Sequence, residues 1–149
     1  MQSTNVAERG TVRLERVYQV TPELLWEALT DKAQMKKWYF DVDDFRPEKG
    51  FQFSFEGTTK TGEIKIHRCV VTEVIPMKKL QHTWEYDGHP GHSVLTWELI
   101  PEGSATRVRL IHEGLDSIAQ NGPGFQPENF EQGWTYFLDE ALPRYLKQD

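Results

Sequence analysis

The chain has 149 residues and a formal net charge of −6 at pH 7, and 38% of its residues are hydrophobic, 27% charged and 12% aromatic. This composition indicates one globular domain with a sizeable core, and the acidic balance argues against nucleic-acid binding. A single cysteine, Cys69, excludes an intrachain disulfide, and the lack of a secretory signal and of an apolar stretch of ~18 residues favours the cytoplasm without a membrane span.

The N-terminal part predicts a flexible start, one strand and two short helices. Residues 1–10 are mostly polar and we expect them to be flexible, so that the folded domain covers residues 11–149. Thr11–Val20 is rich in β-branched residues but is interrupted by charges, which predicts an edge strand or a bulge. Thr21, followed by proline and glutamate, is typical of a helix N-cap, and Asp31 can cap a second short helix.

Three alternating phenylalanines mark the next strand. Phe51, Phe53 and Phe55 alternate with polar residues, which is the period of a half-buried strand. After a turn at residues 57–62, residues 63–74 predict a long strand whose polarity pattern does not resolve into two faces. The sequence therefore assigns no inner-face residues to that strand.

Three short strands and one long amphipathic helix dominate the last third of the chain. The strands are predicted at Leu80–Tyr86, Ser93–Ile100 and Thr106–His112, each with its aromatic and aliphatic residues on one face. The helix is predicted from Pro127 to Leu146, where apolar residues recur at helical spacing. This pairing indicates an α+β fold in which a curved antiparallel sheet wraps around one helix and leaves a pocket between them.

The turns between these strands predict their register. Hairpins closed by residues 87–92 and 102–105 place one apolar face toward the helix. The predicted cross-strand neighbours are Trp84 with Leu95 and Leu95 with His112, His82 with Trp97 and Trp97 with Leu110, and Leu80 with Leu99 and Leu99 with Val108.

Two residues disturb the C-terminal helix, and residues 114–126 before it predict a loop. Gly133 costs on the order of 1 kcal/mol relative to alanine in a helix interior. It indicates either close packing on the sheet or room for a ligand beside Trp134. Pro143 lacks an N–H group, and we expect it to kink the last turn.

The order and spacing of several short motifs resemble those of one protein family. The motifs are Thr21-Pro-Glu-Leu-Leu-Trp26, Thr30-Asp31, Trp38, Thr83-Trp84, Leu95-Thr96-Trp97, Thr106-Arg107-Val108, His112-Glu113-Gly114-Leu115 and Gly133-Trp134. Over residues 11–147 the chain resembles the homologues of the activator of the heat-shock protein 90 ATPase, which belong to the START-like, helix-grip (SRPBCC) superfamily.

This resemblance implies a helix-grip fold. The fold has two small helices and a bent antiparallel sheet of six or seven strands around a long C-terminal helix. The resemblance also implies a hydrophobic cavity that takes an extended or ring-shaped apolar molecule. A contact with the chaperone and a link to the stress response are further expectations that it raises.

Few groups in the sequence are candidates for catalysis or metal binding. His89 and His92 lie in a predicted turn without further ligands, so we expect no metal there. Cys69 lacks an electropositive setting, which predicts a structural thiol. His82 and His112 lie on the predicted inner face, either as hydrogen-bonded core residues or as polar anchors in an apolar pocket. No phosphate-binding, nucleophile-elbow or metalloprotease motif occurs, and we expect no cofactor.

The sequence favours a binding protein for a hydrophobic small molecule, lipid-like or polycyclic aromatic, over an enzyme. The residues predicted near the pocket are Trp38, Phe40, Phe53, Trp84, Tyr86, Leu95, Trp97, Leu110, His112, Trp134, Phe137 and Leu138. One alternative is an enzyme of the cyclase, dehydratase or hydrolase type, which needs an acid and a base that reach one bound atom. Another is a single-domain interaction module like the chaperone activator, which needs an exposed apolar or charged patch.

Overall fold

The computed structural model describes residues 10–58 and 62–147. The flexible segment expected at residues 1–10 lies outside the described residues except for Gly10, and so does the centre of the turn expected at residues 57–62. Within the described part, six antiparallel strands form one sheet in the order β1-β6-β5-β4-β3-β2. The strands are β1 Val12–Tyr18, β2 Gln52–Thr58, β3 Ile64–Ile75, β4 Lys79–Tyr86, β5 Ser93–Glu102 and β6 Ala105–Glu113. The predicted α+β class is confirmed, and β1 lies at an edge as its charge pattern indicates.

The two small helices begin at the caps that the sequence predicts. Helix α1 spans Pro22–Thr30, and the Thr21 hydroxyl accepts a hydrogen bond from the backbone N–H of Leu24 at 3.3 Å. Helix α2 spans Lys32–Trp38, and the Asp31 carboxylate accepts one from the third residue after it at 3.2 Å. Each cap satisfies a backbone donor that the first helical turn leaves free.

The segment before the C-terminal helix contains more structure than the loop that the sequence predicts. Helix α3 spans Leu115–Ala119, and a 3₁₀ turn follows at Pro123–Phe125. Leu115 and Ile118 are fully buried, so this segment contributes to the core. The sequence signal fails here because five residues are too short to show helical periodicity.

The long C-terminal helix, α4, covers residues 127–146 and changes its hydrogen-bonding pattern midway. It is α-helical at Pro127–Tyr136, π-helical at Phe137–Ala141 and α-helical again at Leu142–Leu146. The N–H of Leu142 bonds the carbonyl of Phe137, five residues back. Pro143, which has no N–H to donate, comes directly after Leu142. The irregularity of α4 near Pro143 is therefore a π-helical turn that ends just before the proline. Among the described residues, no helix is both long and apolar enough to cross a membrane.

One predicted strand register is confirmed and the other is wrong by two residues. In the β5–β6 pair, Leu95 faces His112 and Trp97 faces Leu110, as predicted. In the β4–β5 pair, His82 faces Leu95, and Leu80 faces Trp97. The predicted pairs of Trp84 with Leu95, His82 with Trp97 and Leu80 with Leu99 therefore do not form.

A contact with α3 accompanies the observed register. The backbone N–H of His92 donates to the hydroxyl of Ser117 at 2.9 Å, and that hydroxyl donates to the His92 carbonyl at the same distance. These contacts tie His92 to α3, and the next residue, Ser93, is the one opposite Trp84. A shift of two residues leaves every side chain on its predicted face, because the period of a strand is two.

Candidate functional site

A pocket of about 370 Å³ opens between helix α4 and the part of the sheet that β2, β3 and β4 form. Its volume falls within the roughly 300–1,000 Å³ that is typical of ligand sites. Most of its wall is aromatic. The lining residues are Phe40, Gly57, Thr58, His67, Trp84, Tyr86, Gly124, Asn129, Phe130, Gln132, Gly133, Trp134 and Phe137. The exposed Thr58, Gln132 and Gly133 mark the mouth, and the buried histidine, tyrosine and tryptophans form the floor.

Of the twelve residues predicted near the pocket, five line it. These are Phe40, Trp84, Tyr86, Trp134 and Phe137. The other seven are buried but do not line this pocket, and they are Trp38, Phe53, Leu95, Trp97, Leu110, His112 and Leu138. Contact of any of the twelve with a ligand stays a prediction.

Edge-on contacts hold the aromatic wall together. Trp84 meets Trp134 with ring centroids 5.4 Å apart at an interplanar angle of 68°. Phe40 meets Phe137 at 5.2 Å and 66°, and stacks on Phe55 at 4.3 Å. These edge-to-face and stacked arrangements are the favourable geometries for aromatic pairs. The wall therefore connects α4 to the sheet and to the segment after α2.

Gly133 leaves the pocket mouth open. It lies in the α-helical first part of α4, and a Cβ atom built on it would meet no heavy atom within 4 Å. This result excludes close packing of Gly133 on the sheet. The alternative suggested by the sequence, free space beside Trp134, agrees with its place in the pocket lining.

His67 is a buried polar residue of the pocket lining that the sequence analysis does not identify. Its side chain lies at the pocket floor, where the residue is 5% exposed, and Nδ1 is 3.2 Å from the carbonyl of Lys65. Burial lowers the pKa of His67 to about 4, while hydrogen bonds with the backbone at Lys65 and Phe55 act in the opposite direction. The imidazole is therefore neutral at pH 7.

Gly57 makes room for this imidazole. A Cβ atom on Gly57 would lie 2.6 Å from Cε1 of His67, well inside van der Waals contact. The residue has no positive φ angle, so its lack of a side chain matters for space and not for backbone conformation. The glycine in β2 and the histidine in β3 therefore form a matched pair at the floor.

A second polar group at the floor is the Tyr86 hydroxyl. The indole N–H of Trp84 donates to the Tyr86 oxygen at 3.1 Å. Burial is the main cause that raises the pKa of the Tyr86 phenol, so it carries its proton at any physiological pH.

His112 is held deeper, at the centre of a directed chain of hydrogen bonds. The indole N–H of Trp134 donates to Nδ1 of His112 at 3.1 Å, and Nε2 lies 2.9 Å from the Ser93 hydroxyl oxygen. The Ser93 hydroxyl in turn donates to the carbonyl of Trp84 at 3.0 Å. Because Nδ1 accepts, Nε2 of the neutral ring must carry the hydrogen and donate to the serine.

The direction of this chain decides what Ser93 and His112 can do. A serine nucleophile needs a base that accepts its proton, whereas here the imidazole donates to the hydroxyl. Burial, with smaller contributions from His82 and His67, lowers the pKa of His112 to about 3. His112 is therefore a hydrogen-bonded, neutral residue of the core, and its contact with a ligand stays a prediction.

Two further kinds of candidate site are the Cys69 thiol and clusters of metal-ligating side chains. Cys69 is buried, and burial raises the pKa of its thiol, so the reactive thiolate is disfavoured. Within residues 10–58 and 62–147, no three His, Cys, Asp or Glu side chains are placed to hold a metal ion.

The sequence pattern of β3 gives no clear sign that His67 is buried. Along β3 the buried residues His67, Cys69 and Val71 alternate with more exposed ones, and the register to β4 then shifts between Val71 and Glu73. That irregularity breaks the period of two over the full strand. In the first half of β3, Ile64 and Ile66 alternate with Lys65 and His67, so the hydrophobic pattern would have placed His67 on the outer face, although both isoleucines are exposed.

The fold and the pocket together define a class of protein. A curved antiparallel sheet around a long C-terminal helix, with two small helices after the first strand, is the helix-grip architecture of START-like (SRPBCC) proteins. The chain belongs to the family described as Activator of Hsp90 ATPase homolog 1-like protein, which it matches over residues 19–147.

Solved structures show the same architecture. Protein CV1439 from Chromobacterium violaceum is 25% identical, with a TM-score of 0.78 over 93% of this chain and 98% of that one. Protein MLL2253 from Mesorhizobium loti is 28% identical, with a TM-score of 0.73 over 91% and 96%. PFC0360w, an HSP90 activator from Plasmodium falciparum, is 22% identical, with a TM-score of 0.66 over 87% and 91%. A comparison with curated proteins gives no match.

Proposed function

We propose that this protein binds an apolar or aromatic small molecule in the pocket between α4 and the sheet. The observation that carries this proposal is a pocket of about 370 Å³ whose wall is mainly aromatic, with Gly133 at its mouth. A void beside aromatic rings lacks dispersion contacts on one side, so an apolar molecule that fills it gains them. It also removes apolar ring surface from water.

The proposal explains why a destabilising glycine occupies position 133 of the helix. A glycine in a helix interior lowers stability by about 1 kcal/mol relative to alanine. No close contact explains it here, since a Cβ atom at this position would lie in open space. Access to the pocket gives the glycine a role that alanine or a larger residue would serve less well.

Tryptophan fluorescence tests the proposal directly, because Trp84 and Trp134 line the pocket. We expect saturable quenching by at least one compound from a panel of fatty acids, flavonoids and polyketides. Gly133→Leu should weaken that binding at least tenfold, because the leucine side chain would occupy the mouth without a backbone clash.

Tyr136→Leu is the matched control. It changes a residue on the same helix that is 51% exposed and does not line this pocket, so binding should be unchanged. Equal weakening by both variants, or no saturable quenching by any panel member, would contradict the proposal.

A second candidate function is contact with an Hsp90-type chaperone, which the family description favours. Ile64 and Ile66 on the outer face of β3 are 66% and 41% exposed and offer an apolar surface outside the pocket. A pull-down with the middle domain of the chaperone should then capture the protein, and Ile64→Ser should reduce capture. Absence of capture would remove this candidate.

The enzymatic alternative would need an acid and a base beside one bound atom. At the pocket floor the two candidates are His67, whose pKa of about 4 makes it a weak base, and Tyr86, whose raised pKa makes it a weak acid. This setting favours binding by hydrogen bonds over proton transfer.

The buried free thiol of Cys69 is compatible with a reducing cytoplasm as the site of action.

A further inference from the structure

Two neutral hydrogen-bonding groups lie side by side at the floor of the pocket, among its aromatic residues. His67 and Tyr86 are 5% and 9% exposed, and their ring centroids are 4.5 Å apart. Both belong to the pocket lining, below a mouth formed by exposed residues. The buried end of a bound molecule would therefore meet this pair, while its remainder would contact aromatic rings.

The hydrogen-bonding roles of the two groups are complementary. A carbonyl oxygen can only accept, so Nδ1 of His67 donates to the carbonyl of Lys65. A neutral imidazole has a single N–H, so the Phe55 backbone carbonyl that also acts on the ring can only share that hydrogen, and Nε2 carries a lone pair that can accept. The Tyr86 oxygen already accepts from the indole of Trp84, and its own proton has no acceptor among the described residues. The floor thus offers one acceptor and one donor.

The pocket offers no counter-ion to a charged ligand. Among the described residues, no Asp, Glu, Lys or Arg lines it. Transfer of an unpaired charge into such a site is strongly unfavourable. Planar aromatic walls such as Phe40, Trp84 and Trp134 match a planar aromatic partner.

We infer, on the basis of the proposed binding function, that the ligand is a neutral aromatic compound with a hydroxyl group at its buried end. That hydroxyl donates to Nε2 of His67 and accepts from the hydroxyl of Tyr86. A phenol has the required geometry, since one oxygen atom carries both a donor and an acceptor. The pair would orient the ligand and distinguish it from hydrocarbons and ethers of the same shape.

Equilibrium dialysis at pH 7 with three probes of one ring system tests this inference. The probes are 2-naphthol, 2-methoxynaphthalene and naphthalene, which offer donor and acceptor, acceptor alone, and neither. We expect 2-naphthol to bind roughly tenfold more tightly than either of the others, because two neutral hydrogen bonds are satisfied at the floor.

Three variants test whether His67 and Tyr86 cause the preference for 2-naphthol. Tyr86→Phe and His67→Phe should each reduce the ratio of naphthol affinity to naphthalene affinity at least threefold. Tyr18→Phe is the matched control, because it removes a buried hydroxyl that donates to the Leu138 carbonyl and lies outside the pocket. It should leave the ratio unchanged. If His67→Phe does not fold, Tyr86→Phe alone still decides, since it removes one oxygen atom.

The outcomes separate this inference from the proposed function. Equal affinity for all three probes would overturn the hydroxyl inference while the apolar pocket stands. A naphthol preference that survives in Tyr86→Phe would also overturn it. No binding of any probe, together with no quenching by the wider panel, would remove the proposed function itself.

Discussion

The indole N–H of Trp134 donates to Nδ1 of His112 across 3.1 Å, and this bond joins helix α4 to strand β6 inside the core. The ring of Trp134 also meets Trp84 and Trp97 edge-on, with centroids 5.4 and 6.1 Å away. The helix is therefore held on the sheet by both dispersion and a specific hydrogen bond. Since Trp134 also lines the pocket, the bond fixes the position of one pocket wall.

His112→Ala should destabilise the protein by about 3–5 kcal/mol. The substitution removes a fully buried ring and leaves both the Trp134 N–H and the Ser93 hydroxyl without their partner. His92→Ala is the control, because its exposed side chain makes only a surface pair with Glu85 and should change stability by less than about 1 kcal/mol. Urea unfolding measures both, and similar losses would contradict the structural role of His112.

Three buried histidines surround Trp84. The rings of His67 and His112 lie 5.0 and 5.2 Å from its centroid, and His82 lies 6.3 Å away. Burial is the main cause that lowers all three pKa values, to about 4 for His67 and His82 and about 3 for His112. Each ring is neutral in the fold at a pH where it would be protonated in the unfolded chain.

Acidification between pH 7.5 and 5.5 should therefore destabilise the protein. Below the unfolded pKa of 6.5 the unfolded chain binds protons that the fold excludes, so stability is complete above that value and is lost as the pH falls toward the folded pKa. Each histidine contributes about 1.4 kcal/mol over this range, which gives an upper estimate of about 4 kcal/mol for three.

Urea unfolding at steps of pH measures this slope before carboxylates titrate. A free energy of unfolding that stays constant from pH 7.5 to 5.5 would contradict neutral burial of the three rings.

Two glycines should respond in opposite directions to the same substitution. Gly133→Ala should raise stability by about 0.5–1 kcal/mol, because it improves helix propensity and the added methyl meets no atom. Gly57→Ala should lower it by about 1–3 kcal/mol, because its methyl would lie 2.6 Å from Cε1 of His67. The imidazole cannot yield freely, since Phe55 stacks on it at 4.4 Å.

Thermal unfolding of the two variants side by side checks this pair. The comparison is internally controlled, since the chemical change is identical and only the surroundings differ. Destabilisation by Gly133→Ala would mean that the helix packs closely there, and the open pocket mouth would then be wrong.

The sequence predicts most helices and strands correctly because interactions between neighbouring residues determine them. Thr21 and Asp31 cap helices as their side chains allow, and the alternation of Phe53 and Phe55 gives β2 its buried face. The β4–β5 register was missed because alternation has a period of two and cannot detect a shift of two. The observed register is accompanied by a contact between His92 and Ser117, 25 residues apart, which no local pattern reveals.

The candidate site could be predicted only in part for a related reason. Alternation identifies the inner face of the sheet, which includes both Trp97 and Trp84, yet only Trp84 lines the pocket. Which inner residues are covered depends on the path of α4, and that path includes a π-helical turn before Pro143. Long-range geometry of this kind is absent from the periodicity of single strands.

One buried hydroxyl breaks the pattern of satisfied polar groups. The Tyr39 oxygen is buried without a hydrogen-bond partner among the described residues, although the Trp97 side chain lies close enough to affect its pKa. The hydroxyl is therefore an unsatisfied polar group inside the core. Burial is the main cause that raises the pKa of this phenol, so it is neutral.

Tyr39→Phe should therefore leave the free energy of unfolding unchanged or raise it by up to about 1 kcal/mol, since it removes a polar atom whose desolvation nothing offsets. Tyr18→Phe is the counterpart, because the Tyr18 hydroxyl donates to the Leu138 carbonyl at 2.7 Å. Its loss should cost about 1–2 kcal/mol and leave that carbonyl without its side-chain donor. Equal losses in urea unfolding would mean that Tyr39 has a partner in solution, and Trp97→Phe would then identify whether the indole supplies it.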